Sequence, residues 1–297
     1  MRQRGFSVLE LLVALVIAGS VILTAIELLG VTTQSHQLER AQSVSAEHAR
    51  TAVHLLKREI RDAGYPGCLP ANRRNLLADD RLPHHPPISA ADDWPEVMAG
   101  DGIAIRRMRS LGGAMITDGV ASGPRIPLDR DHGLVEGDTV LLAAESGNLC
   151  VLFRHVGDSG TVLNRGPGDH SGQNRIPSSG YWPLQGRVEI LVPTRTEFAV
   201  QPGSRSDDDP GLYRRRFHAG GRREELVPGV LAMNARYALA GDTSSAISAF
   251  VPASQVVDWS QVRAIELQLH LTSDRTPGVW NPAHSISMVI ALRNFEK

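Results

Sequence analysis

The chemistry-bearing residue that stands out first in this chain is a lone carboxylate in an apolar run. Glu10 follows Arg2, Arg4, Gly5 and Phe6, and no charged residue occurs from 11 to 26. At the centre of a bilayer such a group costs ~2.5–3.5 kcal/mol on insertion scales, and less near the edge, so it needs a partner. Cys68 and Cys150 could form a disulfide. His84-His85 offers only two adjacent ring ligands on a Pro-rich loop, with no further Cys or His at metal-ligand spacing, and reads as solvent-exposed. Ser159 in Gly157-Asp158-Ser159-Gly160 would need a base and an orienting acid to act as a nucleophile, and the tetrapeptide is ordinary turn chemistry. Asp207-Asp208-Asp209 could offer oxygens to calcium but reads more simply as a solvated loop, and calcium there stays open. There is no Walker-type glycine loop and no Cys-x-x-Cys pair. The expected catalytic, cofactor-binding and metal-binding sets are therefore empty.

The elements that position these residues begin with a helix. The apolar stretch 6–30 is about long enough to cross a bilayer core of ~30 Å. Arg2 and Arg4 would hold its start in the cytoplasm and send everything after Gly30 to the far side. No Gly or Pro occurs from 31 to 63, and Ala49, Val53, Leu56 and Ile60 recur on one face opposite Glu47, Arg50, Lys57, Arg58 and Arg61. Gly64 and Pro66 then stop the helix. A single helix over 6–63 would be roughly 87 Å long. The stretch 64–100 reads as an extended connecting loop. Beyond it, short β-like runs occur at 102–106, 138–142, 150–153, 187–192, 197–200, 212–217, 233–239, 262–271 and 285–293. The second and third suit a hairpin, and the last two suit pairing across 273–282. Ile265, Leu267, Leu269 and Leu271 share one strand face. The expected fold class is α+β: a long N-terminal helix packed on mainly antiparallel sheet.

Composition narrows the field. The 297 residues carry 31 Lys and Arg against 32 Asp and Glu, which leaves no basic footprint for nucleic acid. Twenty-eight glycines and 18 prolines suit short strands joined by many turns. With both cysteines on the non-cytoplasmic side, a Cys68–Cys150 disulfide is expected, worth ~4 kcal/mol in the chain-entropy view; two unpaired buried thiols are the alternative.

The run Arg-Gly-Phe-Ser-Val-Leu-Glu-Leu-Leu-Val-Ala-Leu over 4–15 resembles the class III signal of type IV pilins and type II secretion pseudopilins. The resemblance implies a leader of residues 1–5, cleavage by a prepilin peptidase between Gly5 and Phe6, N-methylation of Phe6, and pairing of Glu10 with the N-terminal amine of a neighbouring subunit. An ordinary secretory signal cut near Ala18-Gly19-Ser20, a plain signal anchor and a buried helix of a soluble protein are the competing readings; Glu10 argues against the first, and the length and basic flank against the last. Further stretches resemble PilW-type minor pilins: 58–68, ending Gly-Tyr-Pro-Gly-Cys; 136–142; Gly-Leu-Tyr-Arg-Arg at 211–215; Glu-Leu-Val-Pro-Gly-Val at 225–230; 235–237; and 262–265. The proline that kinks the membrane helix of many major pilins is missing before Pro66, which suits an accessory subunit.

The implied organisation is leader 1–5, transmembrane half-helix 6–30, amphipathic half-helix 31–63 and a β-rich periplasmic or extracellular domain 64–297. The implied role is a non-enzymatic minor pilin that joins other minor pilins and the major pilin in a priming or tip complex. It would depend on the inner membrane and its assembly platform, and pass from single-pass membrane protein to pilus, with twitching motility as the outcome. A type II secretion minor pseudopilin and a membrane-anchored periplasmic binding protein are the alternatives.

Overall fold

The computed structural model describes residues 8–79, 81–91, 94, 100–157, 160–168, 174–203, 210–217, 220–241, 249–272 and 282–294. One helix, α1 (Val8–Arg61), opens the chain and runs for 54 residues. In its second half Ala49, Ala52, Leu56 and Ile60 are buried, a three-and-four spacing that makes one stripe, and Ala63 continues it past the helix end. Val53, expected on that stripe, lies at its margin and is only partly buried. Gly64 stops the helix in the left-handed region (φ +71°), and its N–H donates to the Arg106 carbonyl at 2.8 Å.

The stretch expected as loop contributes two short strands, β1 (Arg73–Asn75) and β2 (Ile88–Ala90). Next comes β3 (Ile103–Ala121), which runs far beyond the expected 102–106. Gly112 sits in a register shift of this continuing strand, at φ +112°, with the Arg130 guanidinium 3.3 Å from where a Cβ would stand. Four strands follow: β4 (Arg125–Pro127), β5 (Thr139–Ala144), β6 (Cys150–Arg154) and β7 (Val162–Asn164). The runs 187–192 and 197–200 merge into one strand, β8 (Leu184–Gln201), despite Pro193. The proline is tolerated because β8 pairs with β5 only over 188–191 and with its later partner only from Thr196. Pro193 therefore falls where β8 has a neighbour on one side alone. The chain ends with β9 (Gly211–Arg216), β10 (Arg223–Pro228), β11 (Val230–Leu239), β12 (Val251–Pro252), β13 (Val262–Thr272) and β14 (Pro282–Ala291).

These strands form three sheets. The first has eight strands, ordered β1-β6-β5-β8-β3-β2, with β9 on the second half of β8 and β10 beyond it. The second is β12-β11-β13-β14, and the third is the pair β4-β7. Named strands pair antiparallel throughout, except β1 with β6. Both expected hairpins form, β5–β6 and β13–β14. Ile265, Leu267, Leu269 and Leu271 share the buried face of β13.

The main core lies under α1. It joins the helix stripe to Ala235, Tyr237, Leu267, Leu269 and Ile290 of the four-stranded sheet, and to Ile103, Ile105, Phe198, Val200 and Leu212 of the large one. A second core gathers around Ile126, Val140, Phe153, Leu163 and Ile190, and a smaller one around Met108, Leu141, Cys150 and Leu191.

Candidate assembly interface

α1 changes character along its length. Leu12, Val13, Leu15, Val16, Ile17, Val21, Ile22, Leu23, Ile26, Leu28 and Leu29 are all exposed, from 52% for Val13 to 72% for Val16. At 100° per residue they spread around most of the circumference, and Ser20, Thr24 and Glu27 lie close together on the remaining side of this half. Its hydroxyls are turned inward on the helix: Ser20 donates to the Ile17 carbonyl at 2.8 Å, Thr24 to Val21 at 2.9 Å and Thr32 to Leu28 at 2.9 Å. Counted over the described residues, no helix is long and apolar enough to cross a membrane. Glu10 is part of α1, its side chain outside the described ones; Gly5 and Phe6 lie outside the described residues altogether.

The second half is fastened by charge as well as by its stripe. Arg107 of β3 reaches Glu59 at 3.0 Å and Asp62 at 3.1 Å, and Arg214 of β9 approaches Glu59 at 3.8 Å while pairing with Glu224 at 2.8 Å. Glu59 is thus held between two strands of the large sheet, which fixes the helix in rotation as well as position. The Asn294 amide donates to the Ala63 carbonyl at 3.3 Å, tying the chain's last described residue to the end of α1.

The expected Cys68–Cys150 disulfide is not formed. Both residues are thiols that the fold brings together: Cys150 is fully buried, and its hydrogen bond with Cys68 lowers its pKa, against burial and with help from Arg73. The expectation rested on compartment chemistry. In the fold the turn after α1 is seated by packing instead, with Gly67 (φ +80°) so close to Leu141 and Leu191 that a Cβ would lie 2.7 and 3.0 Å from their methyls.

Other ionisable clusters are structural in character. Glu197, fully buried, meets Arg195 at 2.5 Å and Arg215 at 2.6 and 3.0 Å, and Arg215 lies over the Trp94 and Phe217 rings. Arg165 is fully buried, donates to the Gly123 and Ala121 carbonyls at 3.1 Å, and has its pKa pressed by burial to about 10. Neither stood out in the sequence, because a single Glu in a strand or a single Arg in a connecting segment reads as solvent-facing. His84, expected exposed, is buried at 1%: pairing of β2 with β3 draws its loop onto the sheet. Among the described residues no three His, Cys, Asp or Glu form a metal cluster. Asp158, Ser159 and Asp207 to Asp209 lie outside the described residues.

His132 and His155 form a buried edge-to-face pair with ring centroids 4.8 Å apart, which spacing in the sequence did not reveal. His132 Nδ1 accepts from the Leu134 N–H at 3.0 Å, and its pKa is lowered by burial and then by His155. A base with a depressed folded pKa binds fewer protons than the unfolded chain, so it costs stability as pH falls through its usual value near ~6.5. Thermal unfolding is therefore expected to move to lower temperature between pH 7 and 5, and His132→Gln to remove part of that slope.

Residues 197–293 match the type IV pilus-assembly protein W family, PilW, and residues 1–26 match the prokaryotic N-terminal methylation motif. Over these two stretches the chain is similar to type IV pilus-related, pilin-like proteins. No curated protein and no solved structure matches it. The methylation motif spans Gly5, Phe6, Glu10 and the uncovered apolar turns of α1. The PilW match starts at the buried Glu197 and takes in β9 to β14, which include the sheet that receives the helix stripe. It is narrower than the sequence resemblance, which also drew on 58–68 and 136–142.

Proposed function

We propose that this protein is a minor pilin of the type IV pilus, one of several that together prime filament assembly and sit at the tip. The observation that carries the reading is the division of α1: one half exposes apolar side chains around most of its circumference, the other is docked by stripe and ion pairs. A folded domain that holds its own half of the helix leaves the other half to be covered by something else, first lipid and then neighbouring helices. A helix over residues 6–30 would be about 37 Å long, against a bilayer core of ~30 Å. Before assembly, then, the chain is an inner-membrane protein with its N-terminus cytoplasmic and its β-rich domain periplasmic. Extraction exchanges lipid contacts for helix contacts, and Glu10 gains the Phe6 amine of a neighbour. The chain acts as the peptidase's substrate and as a building block, with no reaction of its own.

Mass spectrometry of the mature N-terminus tests this. N-methylated Phe6 is expected; an intact Met1, or a cut near Ser20, rejects the filament reading.

A further inference from the structure

The β13–β14 hairpin leaves the four-stranded sheet with an edge that no described residue pairs. Its register shows what that edge presents. Leu292 donates its N–H to the Arg263 carbonyl at 2.9 Å, so residues in step with it, Ile290, Met288 and Ile286, bond to β13. The alternate residues Ser285, Ser287, Val289 and Ala291 aim their backbone N–H and C=O groups outward, and all four are exposed.

Natural edge strands are blunted by charge, proline or bulges, because an open row of donors and acceptors recruits other strands. From Ser285 to Ala291 there is neither charge nor proline, and the hairpin's register shift lies at its other end, at Leu271/Thr272. The core beneath is unfinished too. Leu267 and Leu269 of β13 are fully buried, while Met288 and Ile286 opposite them are only partly so.

We infer that β14 is a docking edge that accepts an extended strand from a different pilin-like chain held in the same orientation. This rests on the minor-pilin reading, in which all α1 helices run one way. Self-pairing of β14 across a twofold axis would run along the sheet normal and reverse any helix packed on the sheet face, as α1 is. Head-to-tail self-pairing lacks a matching edge. The terminal strands β12, β1 and β2 have two or three residues, and β10 has six that include Arg223, Glu224, Glu225 and Pro228. A strand from another chain satisfies both constraints and covers Ile286 and Met288.

The test is amide hydrogen exchange on the full-length processed chain, alone in detergent and in the sheared filament fraction. Alone, the amides of Ser285, Ser287, Val289 and Ala291 exchange fast while those of Ile286, Met288 and Ile290 are protected. In the filament fraction the four outward amides slow by at least about a hundredfold. Ser287→Pro removes one outward N–H and leaves the β13 ladder intact. It keeps the far-UV spectrum and Phe6 methylation, and its recovery in the filament fraction falls about tenfold. Outward amides that stay fast in the assembly overturn the inference and leave the minor-pilin reading standing. A Ser287→Cys chain that crosslinks to a second copy of itself also overturns it. A chain with unmethylated Phe6 that never enters the filament fraction removes both.

Discussion

Gly64→Ala is expected to destabilise the domain by about 2–4 kcal/mol, a fall of roughly 10 °C in melting temperature for a chain of this size. Two effects add. Gly64 holds a left-handed conformation that costs any L side chain roughly 1–2 kcal/mol. A Cβ there would also collide with the Asn294 carbonyl oxygen and lie 2.8 Å from Pro87 Cβ. Relief would require the end of α1 to part from the C-terminal segment, straining the bond from Gly64 N–H to the Arg106 carbonyl. Gly137→Ala is the control: its φ is +90°, but nothing lies within 4 Å of the added methyl. It should cost only the conformational share, so the difference between the two melting curves measures the close approach itself. Equal shifts would mean that the junction of α1 with the chain's end contributes nothing.

Glu10→Val is expected to leave cleavage after Gly5, methylation of Phe6 and membrane recovery intact while reducing incorporation into filaments at least about tenfold. An apolar residue at that position lowers the cost of residing in lipid, so insertion does not suffer. On the minor-pilin proposal, what is lost is the partner for a cationic amine entering a low-dielectric helix bundle, and an unpaired buried charge of that kind costs several kcal/mol. Glu10→Asp keeps the charge on a shorter stem and should recover part of the loss. Sheared filaments blotted for this chain beside the membrane fraction give the measurement. Equal incorporation of the valine variant would remove Glu10 from the assembly step and leave it as a tolerated polar residue.

The two variants probe opposite ends of one helix, and the division of labour along it explains why. The docked half is over-determined: a stripe of buried small and aliphatic residues, Glu59 between Arg107 and Arg214, and a glycine stop sealed by the C-terminal segment. Among the described residues the first half shows none of these, and its apolar side chains are exposed. On the minor-pilin proposal, a subunit built this way would pass between lipid and a helix bundle without rearranging its domain, because the described core does not include the first half of α1.

Much of this was legible in the sequence. The 3.6-residue period and the Gly64 stop defined α1, and the alternation in 262–271 gave the buried face and the pairing of β13 with β14. The apolar stretch after Arg2 and Arg4, with its one early glutamate, stood out as a membrane anchor, and matches the methylation motif. These features are local: each depends on residues within a few turns or strand steps of one another, so the chain's own periodicity carries them. Other features depended on partners far away in sequence. Residues 107–121 and Pro193 lay outside the expected runs, and became parts of β3 and β8 only because neighbouring strands start and stop where they do. Cys68 and Cys150 suggested a covalent bond by their compartment, whereas packing around Gly67 brings them together as thiols. Glu197, Arg165 and the His132–His155 pair were unremarkable residues until the sheets enclosed them. So was the edge of β14: the sequence supplied an uncharged strand, and only the register with β13 decided which of its peptide groups face outward. Periodicity states which face a residue occupies, while burial and open edges are set by what the rest of the chain brings to that face.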